Sequence, residues 1–318
     1  MTVSRHIRFF GSGANWMKMS SILALRLGGY QPLLPPGSTV SVSTSEPGLS
    51  CFDGPERVAA GEFDIGISTP IWVGTLAAEG KLPFTAPLRI ASLGCFPHDD
   101  RLVFAIRKET GLKSFQDIKQ QRYPLRISTA PRETRHPCVW GAEKVLEEYG
   151  FDFADIESWG GEILRDRPRD ISKPMGQKMI DPGFSAIFDE AIMTCRWRSV
   201  SDEYDLTYLP IEDEVLSSLE RKGWRRGVLR QGFFRGLDAD LPCVDFSGWY
   251  LYCREDLDDD LAYLTIQAID EQKAVIERSY EPCEGLSLPV DLAQMCRNPP
   301  TPLHPGAERY YREKGYLS

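Results

Sequence analysis

His136 and Cys138 stand one residue apart, just after Arg132 and Arg135 in the segment APRETRHPC. An imidazole beside a thiol is a pairing of general base and nucleophile. A single intervening residue does not by itself make a dyad, since strand or helix spacing can point the two side chains apart. Asp189 and Glu190 follow the apolar run Ser185–Phe188. With His136 they are the acids and base that a catalytic reading would use. The two arginines suggest a different chemistry. A guanidinium holds a carboxylate through two parallel hydrogen bonds. A cation at a helix start is unfavourable unless an anion is there to meet it, so Arg132 and Arg135 point to an anionic organic ligand. The alternative for them is a surface pair with Glu133. The 8 cysteines include no CxxC pair and there are only 4 histidines, so neither a metal nor another cofactor is expected.

These residues need elements to place them. Short apolar runs alternate with stretches of helical period, the pattern of an α/β fold with largely parallel sheets. Strands are expected at His6–Phe10, Val40–Ser43, Phe63–Ser68, Leu88–Leu93, Leu102–Arg107, Leu125–Ser128 and Ser185–Phe188. Helices are expected at Trp16–Leu27, Pro55–Ala60, Val139–Tyr149, Glu212–Lys222 and Leu261–Ile276, with another over LKSFQDIK capped by Ser114. The run Val244–Cys253 is long enough to cross between lobes. Gly160–Asp181 reads as a surface loop plus a helix. In such a fold strands end, and helices begin, at the ligand. That makes candidates of Ser12, Gly13 and Asn15, of Thr44 and Ser45, of Ser68 and Thr69, and of Ser128 and Thr129. Asp189 joins them. Hydroxyls at strand ends are also common helix caps, so each has a structural alternative. Trp16 could stack on an aromatic ligand, against the default of a core tryptophan.

The bulk composition narrows the partners. The 318-residue chain is 42% hydrophobic and 26% charged, with a net charge of −9. That size predicts two domains or one large one. The acidic balance argues against nucleic acid, whose phosphates need clustered Lys and Arg. No apolar stretch approaches a membrane span. The first residues lack the apolar core and small-residue cleavage site of a signal peptide. Scattered cysteines suit a reducing compartment. A cytoplasmic location is therefore expected, and a periplasmic one only if a leader has been removed. The expected partner is a small organic acid, with a homodimer left open.

Several phrases then align in order with one family. They are GSG after the first strand, Thr44-Ser45 after the second, GEFDIGI, GLKSFQDIK, CREDLDDDLAYLTIQAI and LHPGAERYYREKG. Nearly the whole chain resembles the TAXI-type solute-binding proteins of tripartite (TRAP) transporters. The C-terminal phrase is the most specific. The resemblance implies a type 2 periplasmic-binding-protein fold: two lobes, residues 1–100 with 247–318 and residues 101–246, each a mostly parallel sheet flanked by helices, with a hinge of crossing strands. It implies solute-receptor-like binding of a small anionic organic ligand, a carboxylate with or without an aromatic ring, in an interlobe cleft. The alternative is a cytoplasmic enzyme on the same fold, a decarboxylase or other lyase or hydrolase acting on an organic acid. The chain departs from the family in its bulky Trp16 and Met17, in the loop TSEPGLS, and in lacking the family's leader.

Overall fold

Ile7, Phe9 and Phe10 of the first strand, β1 (His6–Phe10), are buried, and from β1 to His98 strands and helices alternate. The computed structural model describes residues 5–11, 13–29, 34–44, 49–130, 136–164, 180–192, 195–279 and 290–318, without the side chains of residues 13–15, 49–50 and 195–196. Ser12, Ser45, Arg132 and Arg135 lie outside the described residues, as does the side chain of Asn15, and Gly13 is described only as the first residue of α1. After β1 come α1 (Gly13–Gly28), β2 (Thr39–Ser43), α2 (Leu49–Ala59), β3 (Ile65–Ser68), α3 (Trp72–Glu79) and β4 (Ile90–Phe96). The chain continues with β5 (Arg101–Arg107), α4 (Phe115–Gln121), β6 (Arg126–Ser128), α5 (Pro137–Glu148), α6 (Phe153–Ser158), β7 (Glu162–Leu164), β8 (Ala186–Glu190), α7 (Cys195–Glu203), β9 (Leu206–Tyr208), α8 (Asp213–Arg221), β10 (Arg226–Leu229) and β11 (Leu241–Asp245). It ends with β12 (Trp249–Arg254), α9 (Asp259–Ser279), α10 (Leu292–Met295) and α11 (Pro305–Glu313). The described residues divide into two compact units. One holds the chain through His98 and again from Ser247 onward; the other spans Asp99–Phe246.

In the first unit the strand order is β2-β1-β3-β12-β4. β1 runs parallel to β2 and β3, whereas β12 is antiparallel to both of its neighbours. Four strands thus share one direction and β12 alone is reversed. The pleat sends alternate residues to opposite faces. Tyr250 and Tyr252 meet Gly74 of α3 and Gly54 of α2, while the other face at Gly94 meets Tyr311 of α11 and Met295 of α10. Helices therefore cover both faces, as a sheet with strands buried on each side requires.

The phrase GEFD acquires a physical meaning in this unit. Asp64 is nearly buried and accepts from the Arg8 backbone N–H at 2.8 Å, from Arg8 Nε at 3.0 Å and from its Nη2 at 2.9 Å. Arg254 of β12 approaches it at 3.3 Å. One carboxylate thus ties the edges of β1, β3 and β12, and a buried carboxylate needs such partners. Phe63 stacks on Phe10 at 4.7 Å, and Arg57 covers both rings.

In the second unit the order is β10-β11-β5-β8-β6-β7, with β9 also paired to β5. β6 is parallel to β7 and β8, and this is the expected parallel part. β5 is antiparallel to β8, β9 and β11, and β10 to β11. The sheet is mixed because the strands by which the chain enters and leaves the unit, β5 and β11, lie side by side in opposite directions. Its core gathers Val103, Ile187, Trp197, Tyr208 and Phe234. The cap of α4 forms through Ser114, which accepts from the Asp117 N–H at 3.1 Å; the Asp117 carboxylate returns to the Lys113 N–H at 2.8 Å.

Two expectations need correction. The helix expected at Pro55–Ala60 starts at Leu49 and carries Pro55 inside it. Burial of Cys51, Phe52 and Val58 along one face outweighs the preference of proline for a first turn. The run Val244–Cys253 is two strands, β11 and β12, in different units, separated by Gly248 at φ +86. A Cβ at Gly248 would also strike Ile71 and Cys95. The last helix, α11, buries Ala307, Tyr310 and Tyr311.

The C-terminal phrase LHPGA is a helix start under steric constraint. His304 is the N-cap of α11 and accepts through Nδ1 from the Gly306 N–H at 3.3 Å, with Pro305 at the first helical position. A Cβ on Gly306 would overlap the backbone of Asp259, the first residue of α9. Tyr310 donates to Asp270 of α9 at 2.7 Å, and Arg309 pairs with Asp260. Gly306→Ala is expected to lower stability by about 1–3 kcal/mol, because backbone must move to admit one methyl group. Urea unfolding of the variant beside the parent protein measures this.

Candidate functional site

The parallel neighbours β6 and β8 bring their carboxyl ends to one edge of the second sheet, with Ile127 opposite Ala186 and Ser128 opposite Ile187. Ser128 and Thr129 leave that edge from β6, and Asp189 and Glu190 from β8. Helix α5 begins shortly after β6. It starts where it does because His136 is extended and caps it, Nδ1 accepting from the Cys138 N–H at 3.2 Å, with Pro137 at the first helical position. The buried face of α5, with Val139, Ala142, Val145 and Leu146, holds the helix in the unit.

This placement gathers His136, Cys138 and Glu190. One ligating atom from each lies within 4.8 Å of the others. Cys138 is fully buried, and His136 and Glu190 are half-buried. Asp189 is buried and accepts from the Glu190 N–H at 2.9 Å. Ser128 and Thr129 are fully buried, and Thr129 Oγ1 has no hydrogen-bond partner among the described residues. A buried hydroxyl left without a partner is uncommon and calls for a reason.

Asp100 was not singled out in the sequence. It is fully buried, and its Oδ1 accepts from the N–H groups of Arg101, Ala191 and Ile192 at 2.7, 3.1 and 2.9 Å. It therefore pins the segment after β8 to the start of β5. Burial, with the Glu190 charge beside it, pushes its carboxyl pKa well up, and the three N–H bonds pull less strongly down. No spacing rule marks such a residue, because its donors come from a segment about 90 positions away in the chain.

The first-unit candidates are occupied differently. Ser68 is buried and its hydroxyl shares a hydrogen bond with Tyr252 at 3.0 Å. Thr69 donates to the Gly248 carbonyl at 3.0 Å. Trp16 is 8% exposed and meets Trp249 edge-on at 6.2 Å. His98 lies against the same Trp249 ring at 5.1 Å. Thr44 is exposed after β2. Ser68, Thr69, Trp16 and His98 thus make contacts within their own unit. Among the thiols, burial raises the Cys243 pKa to about 12, which leaves it protonated and inert at neutral pH.

A group whose folded pKa is raised binds its proton more readily in the folded state. Asp100 therefore stabilises the fold fully only below its unfolded pKa, near 4. That contribution is lost as pH climbs from there through the raised folded value. Asp100→Asn keeps the acceptor for the three N–H groups and removes the titration. Its urea midpoint is expected to depend less on pH than that of the parent protein across the acid range; an unchanged dependence would place the titration elsewhere.

A sequence-family profile described as the NMT1-like family matches residues 53–315. No curated protein matches the sequence. Solved structures that align with it include a TctC solute-binding protein from Polaromonas, at 12% identity and TM-score 0.42, covering 85% of each chain. PhnD1 from Prochlorococcus marinus in complex with methylphosphonate aligns at 9% identity and TM-score 0.38, covering 98% of this chain and 99% of that one. The alkanesulfonate-binding protein SsuA from Xanthomonas axonopodis pv. citri, bound to MOPS, aligns at 11% identity and TM-score 0.33, covering 88% and 74%.

Proposed function

The chain belongs to the NMT1-like family, and on that premise we propose that it binds a small organic carboxylate at the carboxyl ends of β6 and β8. The observation that carries this reading is the buried Thr129 hydroxyl with no partner among the described residues. Leaving such a donor unsatisfied costs about 1–3 kcal/mol, which a ligand oxygen would recover. The first turn of α5 adds N–H groups and the positive end of a helix dipole at the same edge. The chain between β6 and α5 contains Arg132 and Arg135, the residue type suited to a carboxylate. Asp189 and Glu190 oppose a bare anion, so positive charge from these arginines must offset them.

Within this proposal the chain is a TAXI-type solute receptor. The phrases GEFDIGI and LHPGAERYYREKG support that subtype, and the buried thiols fit the proposed cytoplasmic location. The second reading, an enzyme acting on an organic acid, draws on the nearness of the Cys138 thiol, the His136 imidazole and the Glu190 carboxylate.

A thermal-shift screen of aliphatic and aromatic carboxylates is expected to find a stabilising ligand. Mass spectrometry after incubation should return it unchanged; a consumed ligand supports the enzyme instead. Thr129→Val, and Arg132→Ala with Arg135→Ala, should each weaken that ligand by about tenfold or more, in keeping with charge-assisted bonds of about 1.5–3 kcal/mol. Undiminished affinity in all of these variants would remove the ligand from this edge of the sheet.

A further inference from the structure

We propose that His136, Cys138 and Glu190 form a site for one divalent transition-metal ion, zinc by the chemistry of its ligands, at the start of α5. The three offer an imidazole nitrogen, a sulfur and a carboxylate oxygen, the donor set that a borderline-soft ion such as zinc accepts. Ligand atoms around a tetrahedral zinc stand about 3.3–3.5 Å apart, from bond lengths of about 2.0–2.3 Å. Here the atoms lie within 4.8 Å of one another, so binding needs only a modest closing. His136 and Glu190 are half-buried beside the buried sulfur.

Charge supports the same assignment. A cysteine thiolate and the Glu190 carboxylate together neutralise a divalent cation, with the proton of the thiol released to solvent. Glu190 also lies within electrostatic range of the buried Asp100 carboxyl group. A cation on Glu190 relieves that crowding of acids.

One cost is identifiable. His136 Nδ1 now accepts from the Cys138 N–H. A neutral imidazole has one lone-pair nitrogen, so it serves the cap or the metal and not both. The lost cap is worth about 1 kcal/mol, small against the roughly 10 kcal/mol of a structural zinc site. Three protein ligands leave a fourth position for water or for a ligand oxygen, the arrangement of an open rather than a closed zinc site. The metal site does not depend on the carboxylate proposed above, and finding no such carboxylate leaves it standing.

The test uses the full chain, stripped of metal by a chelator and kept reduced, titrated with cobalt(II) as a spectroscopic stand-in for zinc. One equivalent is expected to bind with a thiolate-to-cobalt charge-transfer band in the near ultraviolet, and zinc should displace it. Cys138→Ser should abolish the band. His136→Gln and Glu190→Gln, which leave the core sulfur in place, should keep the band and weaken binding by more than about tenfold. Circular dichroism checks that each variant is folded. No binding to the parent protein, a band that survives in Cys138→Ser, or unaltered affinity in both His136→Gln and Glu190→Gln would each overturn the assignment.

Discussion

The first unit depends on a strand that reaches it only after the whole second unit has been threaded. β12 lies between β3 and β4 and is antiparallel to both. Its residues from Trp249 to Cys253 are all buried. The fit is steric. Tyr252 lies so close to Gly66 that a Cβ there would approach its ring within 2.7 Å, and Gly54 of α2 faces the same side chain. Tyr250 fills the space beside Gly74 and shares a hydrogen bond with Thr301 at 2.7 Å. Glycine yields this room because it has no Cβ, and the tyrosine rings convert it into buried area. Each phenol is also hydrogen-bonded, so burial leaves no polar atom of these rings unsatisfied. A pairing of such long sequence separation is slow to form, so the sheet is complete only once the chain through Arg254 is available.

The C-terminal helices finish that unit by the same logic. Tyr311 donates to the Leu93 carbonyl at 2.9 Å beside Gly94, and Tyr310 reaches Asp270 of α9. α11 is thereby fixed at its cap by His304 and along its length by two tyrosines. The second unit has a comparable tie in Asp100, whose three N–H donors come from both sides of the β5–β8 pair. The edge that this pin helps to fix is the one that presents Asp189 and Glu190, so stability and chemistry there rest on one buried carboxyl group.

Much of the scaffold was legible in the sequence because periodicity reports burial directly. Strand β1 is found where its apolar run stands, and α1 and α9 extend the expected helices by only a few residues. The short elements β7, β9, β10, α6 and α7 were not expected. With so few residues, strands such as Leu206–Tyr208 show no period, and they exist because β5 offers an edge to pair with. The break at Gly248 was hidden for a related reason, since hydropathy runs on through Val244–Cys253 while the backbone turns.

The candidate site divides along the same line. The sequence by itself determined which residues end strands and begin helices, and so put Ser128, Thr129, His136, Asp189 and Glu190 among the candidates. GEFD and HPGA took their physical meaning only from the tertiary structure, because Asp64 meets Arg8, and Gly306 meets Asp259, across long separations in the chain. Only the tertiary structure decided that Glu190 stands with His136 and Cys138, more than 50 residues away along the chain. Only it decided that Ser68, Thr69 and Trp16 are engaged within their own unit. The physical reason is that reactivity and ligation depend on distance in space. Here that distance is set by the parallel register of β6 and β8, which no stretch of sequence contains.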